Sequence, residues 1–154
     1  MSAPVRMRDA GIEELPEVQR IENACFQEDR YSVEVLAAML EEEGFETFLA
    51  EEGEVMGSAT VNYRPELVAA QLVSLAVLPQ FRGRGVAKAL LAEAEARVGR
   101  RGADRMVLQV SVTNVAGLNL YLHQGYVLDG MIGDYYGPGR DAYFMDKVLD
   151  PTAR

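Results

Sequence analysis

The stretch 74–91 constrains the fold more than any other part of this chain. It begins as an apolar run, breaks at Pro79, passes a basic turn with two glycines and continues with the spacing of an amphipathic helix. This is a typical phosphate-binding arrangement, because the first amides of a helix have no intrahelical partner and the helix dipole adds positive charge there. Arg82, Arg84 and Lys88 add full charges. The alternative is an ordinary strand-turn-helix corner with solvated arginines.

The turn does not match the common nucleotide-binding signatures. A P-loop requires Ser or Thr directly after Gly-Lys, and a dinucleotide-binding fold requires GxGxxG after the first strand of a βαβ unit. Here the turn lies in the middle of the chain, and Lys88 stands where the third glycine would be. A nucleotide-binding scaffold is therefore the weakest of the alternatives.

Segment 82–87 (RGRGVA) resembles the Q/R-x-x-G-x-G/A motif of the GCN5-related N-acetyltransferase (GNAT) superfamily. The resemblance implies that the turn binds the pyrophosphate of acetyl-coenzyme A (acetyl-CoA), and that the preceding strand runs beside the pantetheine arm. The cofactor-binding residues implied in this way are Leu75, Ala76, Val77, Arg82, Gly83, Arg84, Gly85, Val86, Ala87, Lys88, Asn114 and Tyr121.

Composition narrows the class of protein. A chain of 154 residues, 49% of them hydrophobic, has the size of one globular domain, which we expect to span residues 1–154. The net charge of −9 argues against a nucleic-acid partner. With one cysteine, Cys25, and one histidine we expect no disulfide and no metal site, and a single cysteine suits the cytoplasm. We expect the protein to be a monomer or a homodimer. No apolar window reaches the length of a membrane span.

Hydrophobic periodicity predicts the element order β-α-α-β-β-β-α-β-α-β-β. Strands are predicted at 5–8, 47–50, 55–63, 68–78, 106–112, 126–128 and 142–149. Helices are predicted at 12–26, from a Ser32 cap to a stop at Gly44, at 86–98 and at 114–122. The pattern indicates an α+β (mixed α/β) fold with one twisted sheet and helices on both faces. It is also the element order of the GNAT superfamily, which implies a mostly antiparallel sheet of about seven strands.

Segment 114–126 (NVAGLNLYLHQGY) extends the resemblance, since it is similar to the family pattern N-x-x-A-x-x-x-Y-x-x-x-G-F. The resemblance implies that Asn114 contacts coenzyme A and that Tyr121 is the general acid for the departing thiolate. A phenol with a pKa near 10 stays protonated at neutral pH and suits that role. The alternative is a tyrosine that packs on the core.

The segment 134–145 resembles the YY…(E/D)DA-x-x-M ending of N-terminal protein acetyltransferases, both the bacterial RimI type and the Ard1-like catalytic subunits. The resemblance implies that Tyr135 and Tyr136 line a cleft for the peptide backbone. A tyrosine-rich loop packed on a helix is the alternative. We expect Phe26, at the end of the first predicted helix, and Tyr31, in the loop that follows, to bind substrate as well.

The general base is the point at which this chain departs from the RimI type. That branch carries a glutamate in an L-E-V strand, whereas segment 108–110 reads LQV. Gln109 cannot accept a proton, although it can orient a water or hold the substrate amide. The acceptor α-amine, with a pKa near 8, could instead lose its proton to bulk water. Another candidate is Glu28, because segment 26–31 (FQEDRY) loosely resembles the L-P-E-N-Y loop of the Ard1-like enzymes, with one residue inserted.

The sequence therefore predicts an enzyme that transfers an acetyl group from acetyl-CoA to a primary amine by direct attack in a ternary complex. The predicted acceptor is the α-amine of a protein N-terminus, and a lysine side chain or a small polyamine is the alternative within the same chemistry. Gln109 motivates a different alternative, an acyl-CoA-binding module with weakened catalysis.

Overall fold

The computed structural model of this chain describes residues 5–149, which contain seven strands and four α-helices. The strands β1 to β7 span Arg6–Ala10, Phe45–Glu52, Glu54–Arg64, Ala69–Val77, Arg105–Ser111, Val127–Ile132 and Ala142–Val148. The helices α1 to α4 span Leu15–Cys25, Val33–Glu41, Val86–Arg100 and Val115–His123. Short 3-10 turns cover Ile12–Glu14, Pro65–Leu67 and Pro79–Phe81. No helix in the described part of the chain is long and apolar enough to cross a membrane.

The strands form a seven-stranded sheet in the order β1-β2-β3-β4-β5-β7-β6. β4 and β5 pair in parallel, whereas β1 with β2, β2 with β3, β5 with β7 and β6 with β7 are antiparallel. The prediction of an α+β fold with a mostly antiparallel seven-stranded sheet is confirmed. The described residues group into two compact units, a first with residues 5–62 and 73–94, and a second with residues 63–72 and 95–149.

The first unit is stabilised by apolar side chains of α1, β2 and β3. Ile21, Phe48, Leu49 and Val61 are completely or almost completely buried, which removes the largest apolar surfaces of these elements from water. Ser32 caps α2 as predicted, since its Oγ accepts a hydrogen bond of 3.2 Å from a backbone amide of the first turn. Helix α1 begins only at Leu15, because the preceding residues form a 3-10 turn.

The second unit shows the alternation of a strand with one buried face. Along β5 the side chains of Met106, Leu108 and Val110 are buried, and Met145 of β7 lies opposite Leu108. Because successive side chains of a strand point to opposite faces, Gln109 projects from the face away from this core.

β6 is longer than predicted. The strand extends to residue 132 instead of ending at 128, with an irregular register between Leu128 and Gly130. Every residue of β6 is exposed, so the strand carries no alternation of buried and exposed positions that a sequence pattern could reveal. Asp129 and Gly130 also read as turn residues.

Gly57 marks a close approach between β3 and the end of β4. A Cβ atom at this position would lie 2.4 Å from the backbone oxygen of Ala76 and 3.3 Å from a methyl carbon of Leu90. The backbone amide of Leu78 donates to the carbonyl of Met56 over 2.8 Å, beside the same contact. Only glycine leaves the two backbones at this separation, so Gly57 determines the path of β4 just before the glycine turn.

Gly57→Ala is therefore expected to lower the free energy of unfolding by about 1–3 kcal/mol, the usual cost of forcing an extra carbon into a packed region. The measurement is urea unfolding followed by circular dichroism. Gly130→Ala is the matched control, since nothing lies within 4 Å of the added carbon, and its effect should stay within about 0.5 kcal/mol. Equal effects of the two substitutions would contradict the conclusion that the close approach of β3 and β4 requires glycine at position 57.

Candidate active site

The predicted phosphate-binding turn forms at the end of β4. After the 3-10 turn Pro79–Phe81, Gly83 and Gly85 both adopt φ angles of +81°, a backbone conformation that side chains with a Cβ rarely accept. The amide of Ala89 donates to the carbonyl of Gly85 over 3.0 Å, so Gly85 is the N-cap of α3. Val86 is buried and anchors the first turn. The next amides have no intrahelical acceptor, which is the arrangement by which helix ends bind anions.

Three cations surround this helix end. Arg82, Arg84 and Lys88 are all exposed. The Nε of Arg82 donates to the carbonyl of Val77 over 3.0 Å, which fixes the guanidinium group beside the end of β4. The guanidinium of Arg84 lies 5.5 Å from the ring centre of Phe81. The turn thus combines amides, a helix dipole and positive charge, which fits a pyrophosphate.

Cys25 is held against the same strand end. Its Sγ donates to the Val77 carbonyl over 3.3 Å, and the side chain is half-buried. Burial raises the pKa of the Cys25 thiol, and Arg82 only partly offsets this effect. The thiol therefore stays protonated at neutral pH and lacks the thiolate character that a nucleophile needs.

Two of the predicted acceptor-binding residues flank the loop between α1 and α2. Phe26 ends α1, with its amide bonded to the backbone carbonyl of Glu22. The hydroxyl of Tyr31 donates to the carbonyl of Val73 over 3.4 Å, so this ring lies against β4. Glu28 lies in the exposed turn 27–29 between them.

Glu22 was missed by sequence reasoning. Its carboxylate accepts a 2.9 Å hydrogen bond from the backbone amide of Tyr31 and is only 4% exposed. Burial raises the pKa of this carboxyl, and the hydrogen bond from Tyr31 partly counteracts the rise. The available signal was its position four residues after Val18, on the buried face of α1. Glu22 therefore anchors the end of the loop that carries Tyr31.

In the second unit, Asn114 and Tyr121 lie on α4. The Oδ1 of Asn114 accepts from the amide of Gly117 over 2.9 Å, so Asn114 caps the helix as predicted. Tyr121 is buried, and its ring packs edge-on against Tyr126 with 5.7 Å between ring centres. The hydroxyl of Tyr126 in turn donates to Glu95 over 2.8 Å. This packing holds the Tyr121 ring in one orientation.

The Tyr121 phenol is kept in its protonated form. Burial raises its pKa above the ordinary value near 10, and the neighbouring Tyr136 phenol raises it further. The effect of Tyr136 shows that the structure brings these two predicted site residues within electrostatic range of each other. A phenol in this state can act only as a proton donor at physiological pH.

Tyr135 and Tyr136 lie on a loop held by its own hydrogen bonds. Their rings contact edge to face, with centres 4.9 Å apart. Asp134 accepts from the amide of Gly139 over 2.7 Å and Asp141 accepts from the amide of Asp134 over 2.9 Å. The loop therefore presents its tyrosine pair in a defined conformation, and Tyr135 remains exposed.

Gln109 belongs to a hydrogen-bonded chain of polar side chains. Its Oε1 accepts from the Nε2 of Gln71 on β4 over 2.7 Å. The Oε1 of Gln71 accepts from the guanidinium of Arg64, at the end of β3, over 3.3 Å. Sequence reasoning singled out Gln109 but neither partner, because the only signal was a polar residue, Gln71, inside an otherwise apolar strand.

The predicted site residues thus form two sets. The first unit holds a pyrophosphate-compatible turn and an aromatic loop, and the second holds the buried phenol of Tyr121, a tyrosine pair and the polar side chains Arg64, Gln71 and Gln109. Within residues 5–149, no cluster of carboxylate, imidazole and thiol groups is arranged to hold a metal ion.

Known proteins resemble this chain in sequence and in fold. The pattern of the acetyltransferase (GNAT) family matches residues 14–126. The N-alpha-acetyltransferase of Sulfurisphaera tokodaii is 31% identical, over 94% of this chain and 93% of that protein. The N-alpha-acetyltransferase of Saccharolobus solfataricus is 27% identical, over 93% and 92%. The ribosomal-protein-S18-alanine N-acetyltransferase from Escherichia coli shares the fold, with a TM-score of 0.84 at 23% identity over 96% of this chain and 95% of that one.

The family match covers well over half of the chain and includes the glycine turn, Gln109 and Tyr121. The family, the enzyme class and the acetyl donor predicted from the sequence are confirmed. This chain belongs to the acetyltransferase (GNAT) family and is an N-acetyltransferase that uses acetyl-CoA.

Proposed function

We propose that the acceptor is the α-amine of a protein N-terminus, which attacks acetyl-CoA directly in a ternary complex. The observation that carries this proposal is the tyrosine pair Tyr135–Tyr136 on its hydrogen-bonded loop. Such a pair offers an aromatic wall and hydroxyl groups to an extended backbone. The names of the relatives from Sulfurisphaera tokodaii and Saccharolobus solfataricus, both N-alpha-acetyltransferases, support the same acceptor.

The positive charge and the free amides of the glycine turn support a role in binding the cofactor. Gly83 and Gly85 allow the backbone to approach the pyrophosphate, and the amides at the start of α3 bind its oxygens. Arg82 and Lys88 supply charge-assisted contacts. Residues 75–77 run beside the pantetheine arm, and amides near Ala76 polarise the thioester carbonyl. Asn114 contributes its amide nitrogen, since its Oδ1 is already used in the helix cap.

The proton that the leaving thiolate gains and the proton that the amine loses are handled by different groups. The acceptor amine attacks the thioester carbonyl carbon as a neutral nucleophile, the carbon–sulfur bond breaks, and Tyr121 donates its proton to the departing thiolate. Gln109 cannot be the base, so the amine loses its proton to water, either directly or through an acid–base group such as Glu28. Phe26 and Tyr31 line the acceptor side of the site.

The test is release of free thiol from acetyl-CoA with a panel of peptides that vary at their first two residues. Each peptide is compared with its N-terminally blocked twin and with a blocked peptide that contains lysine. Turnover that disappears on blocking supports the proposal and ranks the substrates.

Turnover that survives blocking and requires lysine would assign a side-chain acceptor instead. Turnover with polyamines alone would assign a small-amine acceptor. Binding of coenzyme A without turnover of any amine would leave the acyl-CoA-binding module as the remaining interpretation.

Tyr121→Phe is expected to lower kcat by about 10²–10⁴, the usual contribution of a general acid, because it removes the proton donor and leaves the ring packing intact. The KM for acetyl-CoA should change little. Tyr143→Phe on β7, which deletes the same hydroxyl outside the proposed site, is the control. Loss of activity in both variants, or in neither, would argue against Tyr121 as the general acid.

The pH profile of the wild-type enzyme gives an independent readout of the proton steps. Because burial keeps the Tyr121 phenol protonated well above its ordinary range, the rate should not fall up to a pH of about 10. On the acid side the rate should rise through the pKa of the acceptor, near 8 for an α-amine. A decline between about pH 8 and 10 would mean that another acid donates the proton.

Gly85→Ala is expected to raise the KM for acetyl-CoA roughly tenfold, since a left-handed conformation costs a residue with a Cβ about 1–2 kcal/mol. Gly53→Ala is the matched control, because Gly53 has a φ of +79° with open space around it, in the β2–β3 hairpin. Both variants should lose thermal stability, but only Gly85→Ala should bind coenzyme A more weakly by calorimetry. Equal affinities of the two variants for coenzyme A would mean that the turn is not part of the cofactor site.

A further inference from the structure

We infer that Arg64 and Gln71 are positioning residues, which fix the side-chain amide of Gln109 so that its NH2 group, rather than its oxygen, faces the acceptor amine. This inference rests on the proposed function, because it takes Gln109 as part of the acceptor site. It adds a role for two residues that the proposed mechanism does not otherwise use.

The three side chains cross three neighbouring strands of the sheet. Arg64 ends β3, Gln71 lies in β4 and Gln109 lies in β5. Nη2 of Arg64 lies 3.3 Å from Oε1 of Gln71, and Nε2 of Gln71 lies 2.7 Å from Oε1 of Gln109. β4 and β5 are in parallel register here, which brings the two glutamines to the same face.

The direction of this chain follows from the chemistry of arginine. A guanidinium group has only donors, so Gln71 must turn its oxygen toward Arg64. Its NH2 group then points the other way and can only donate, which requires Gln109 to turn its own oxygen toward Gln71. Within residues 5–149 this is the hydrogen bond that the Gln109 side chain makes, and it leaves the NH2 group of Gln109 for a ligand. Without Arg64, both amides could rotate by half a turn at little cost.

The orientation matters because the nucleophile must be neutral. An amide oxygen that faced the acceptor would accept hydrogen bonds from an ammonium group and would stabilise the unreactive protonated form. An NH2 group places the positive end of the amide dipole there, which disfavours the ammonium ion. The NH2 group also donates to an oxygen, either of a water that takes up the amine proton or of the peptide carbonyl.

Three charged groups of β5, β6 and β7 contact one another, since Arg105 lies 2.8 Å from Asp146 and 3.8 Å from Asp129. Asp146 of β7 accepts from Arg105 over 2.8 Å, and both lie toward the opposite end of β5 from Ser111. Phe144 lies directly opposite Gln109 in the register of β5 and β7. Among the described residues of this unit, Arg64 is thus the cation that acts on Gln109 through hydrogen bonds.

The test compares Arg64→Met, Gln71→Met and the double variant, with whichever amine the wild-type enzyme acetylates. The acid limb of the kcat profile should move up by about 0.5–1 pH unit, which lowers kcat at pH 7 by roughly 3- to 10-fold. The KM for acetyl-CoA should stay unchanged. The double variant should be no worse than Gln71→Met alone, because the two residues act through one chain of hydrogen bonds.

Three further variants separate orientation from simple loss of charge or structure. Arg64→Lys keeps a cationic hydrogen-bond donor, so its pH profile of kcat should match that of the wild-type enzyme. Arg101→Met removes an equivalent charge, at a side chain that stacks on Tyr63, and should not move the profile. In a Gln109→Met background the Arg64→Met effect should disappear, since no side-chain amide is left to orient. An unchanged acid limb in Arg64→Met and Gln71→Met would overturn the inference.

NMR of the glutamine side-chain amides tests the orientation without any substrate. In the wild-type protein one Nε2 proton of Gln71 should show the shift and slow exchange of a hydrogen bond, and both protons of Gln109 should exchange freely. If Gln109 carries the bonded proton, the chain runs in the opposite direction and the inference is wrong for any acceptor. If lysine peptides are the substrates, the proposed acceptor fails, while the orientation of Gln109 is still measured.

Discussion

The first unit depends on how β4 ends. The carbonyl of Val77 is the last of the strand, and it accepts hydrogen bonds from Arg82 of the turn and from Cys25 of α1. A backbone oxygen left unpaired here would carry a cost of about 1–3 kcal/mol if buried, so these two donors stabilise the point where the strand stops. One atom therefore connects a helix, a strand and the turn, while Gly57 determines how closely β3 passes the same place.

The glycine turn is held by contacts with the rest of the first unit. Arg82 uses its Nε on the protein and keeps its terminal nitrogens oriented, and Val86 is buried beneath the helix end. The loop with Tyr135 and Tyr136 follows the same principle, because its aspartates bind amides of the loop itself. Binding groups that are held in place lose little conformational entropy when a substrate arrives.

Much of the fold could be predicted because its signals are local. The apolar runs of β2 to β5, the caps at Ser32 and Asn114 and the glycine turn each fall within a short window of sequence. The chain from Arg64 to Gln109 could not be predicted, since its members are up to 45 residues apart and meet only through strand pairing. Glu22 was overlooked because a carboxylate in an apolar stripe is usually solvated.

β6 is the last strand of the sheet order, so one side of it has no neighbouring strand. It also exposes Val127 and Met131, a combination that invites edge-to-edge association with other chains. Asp129 and the irregular register at Gly130 interrupt the strand at its centre. A charge and a bulge are the devices by which sheet proteins discourage such pairing. Asp129 and Gly130, which read as turn residues in the sequence, therefore lie where the exposed edge is least suited to pair with another strand.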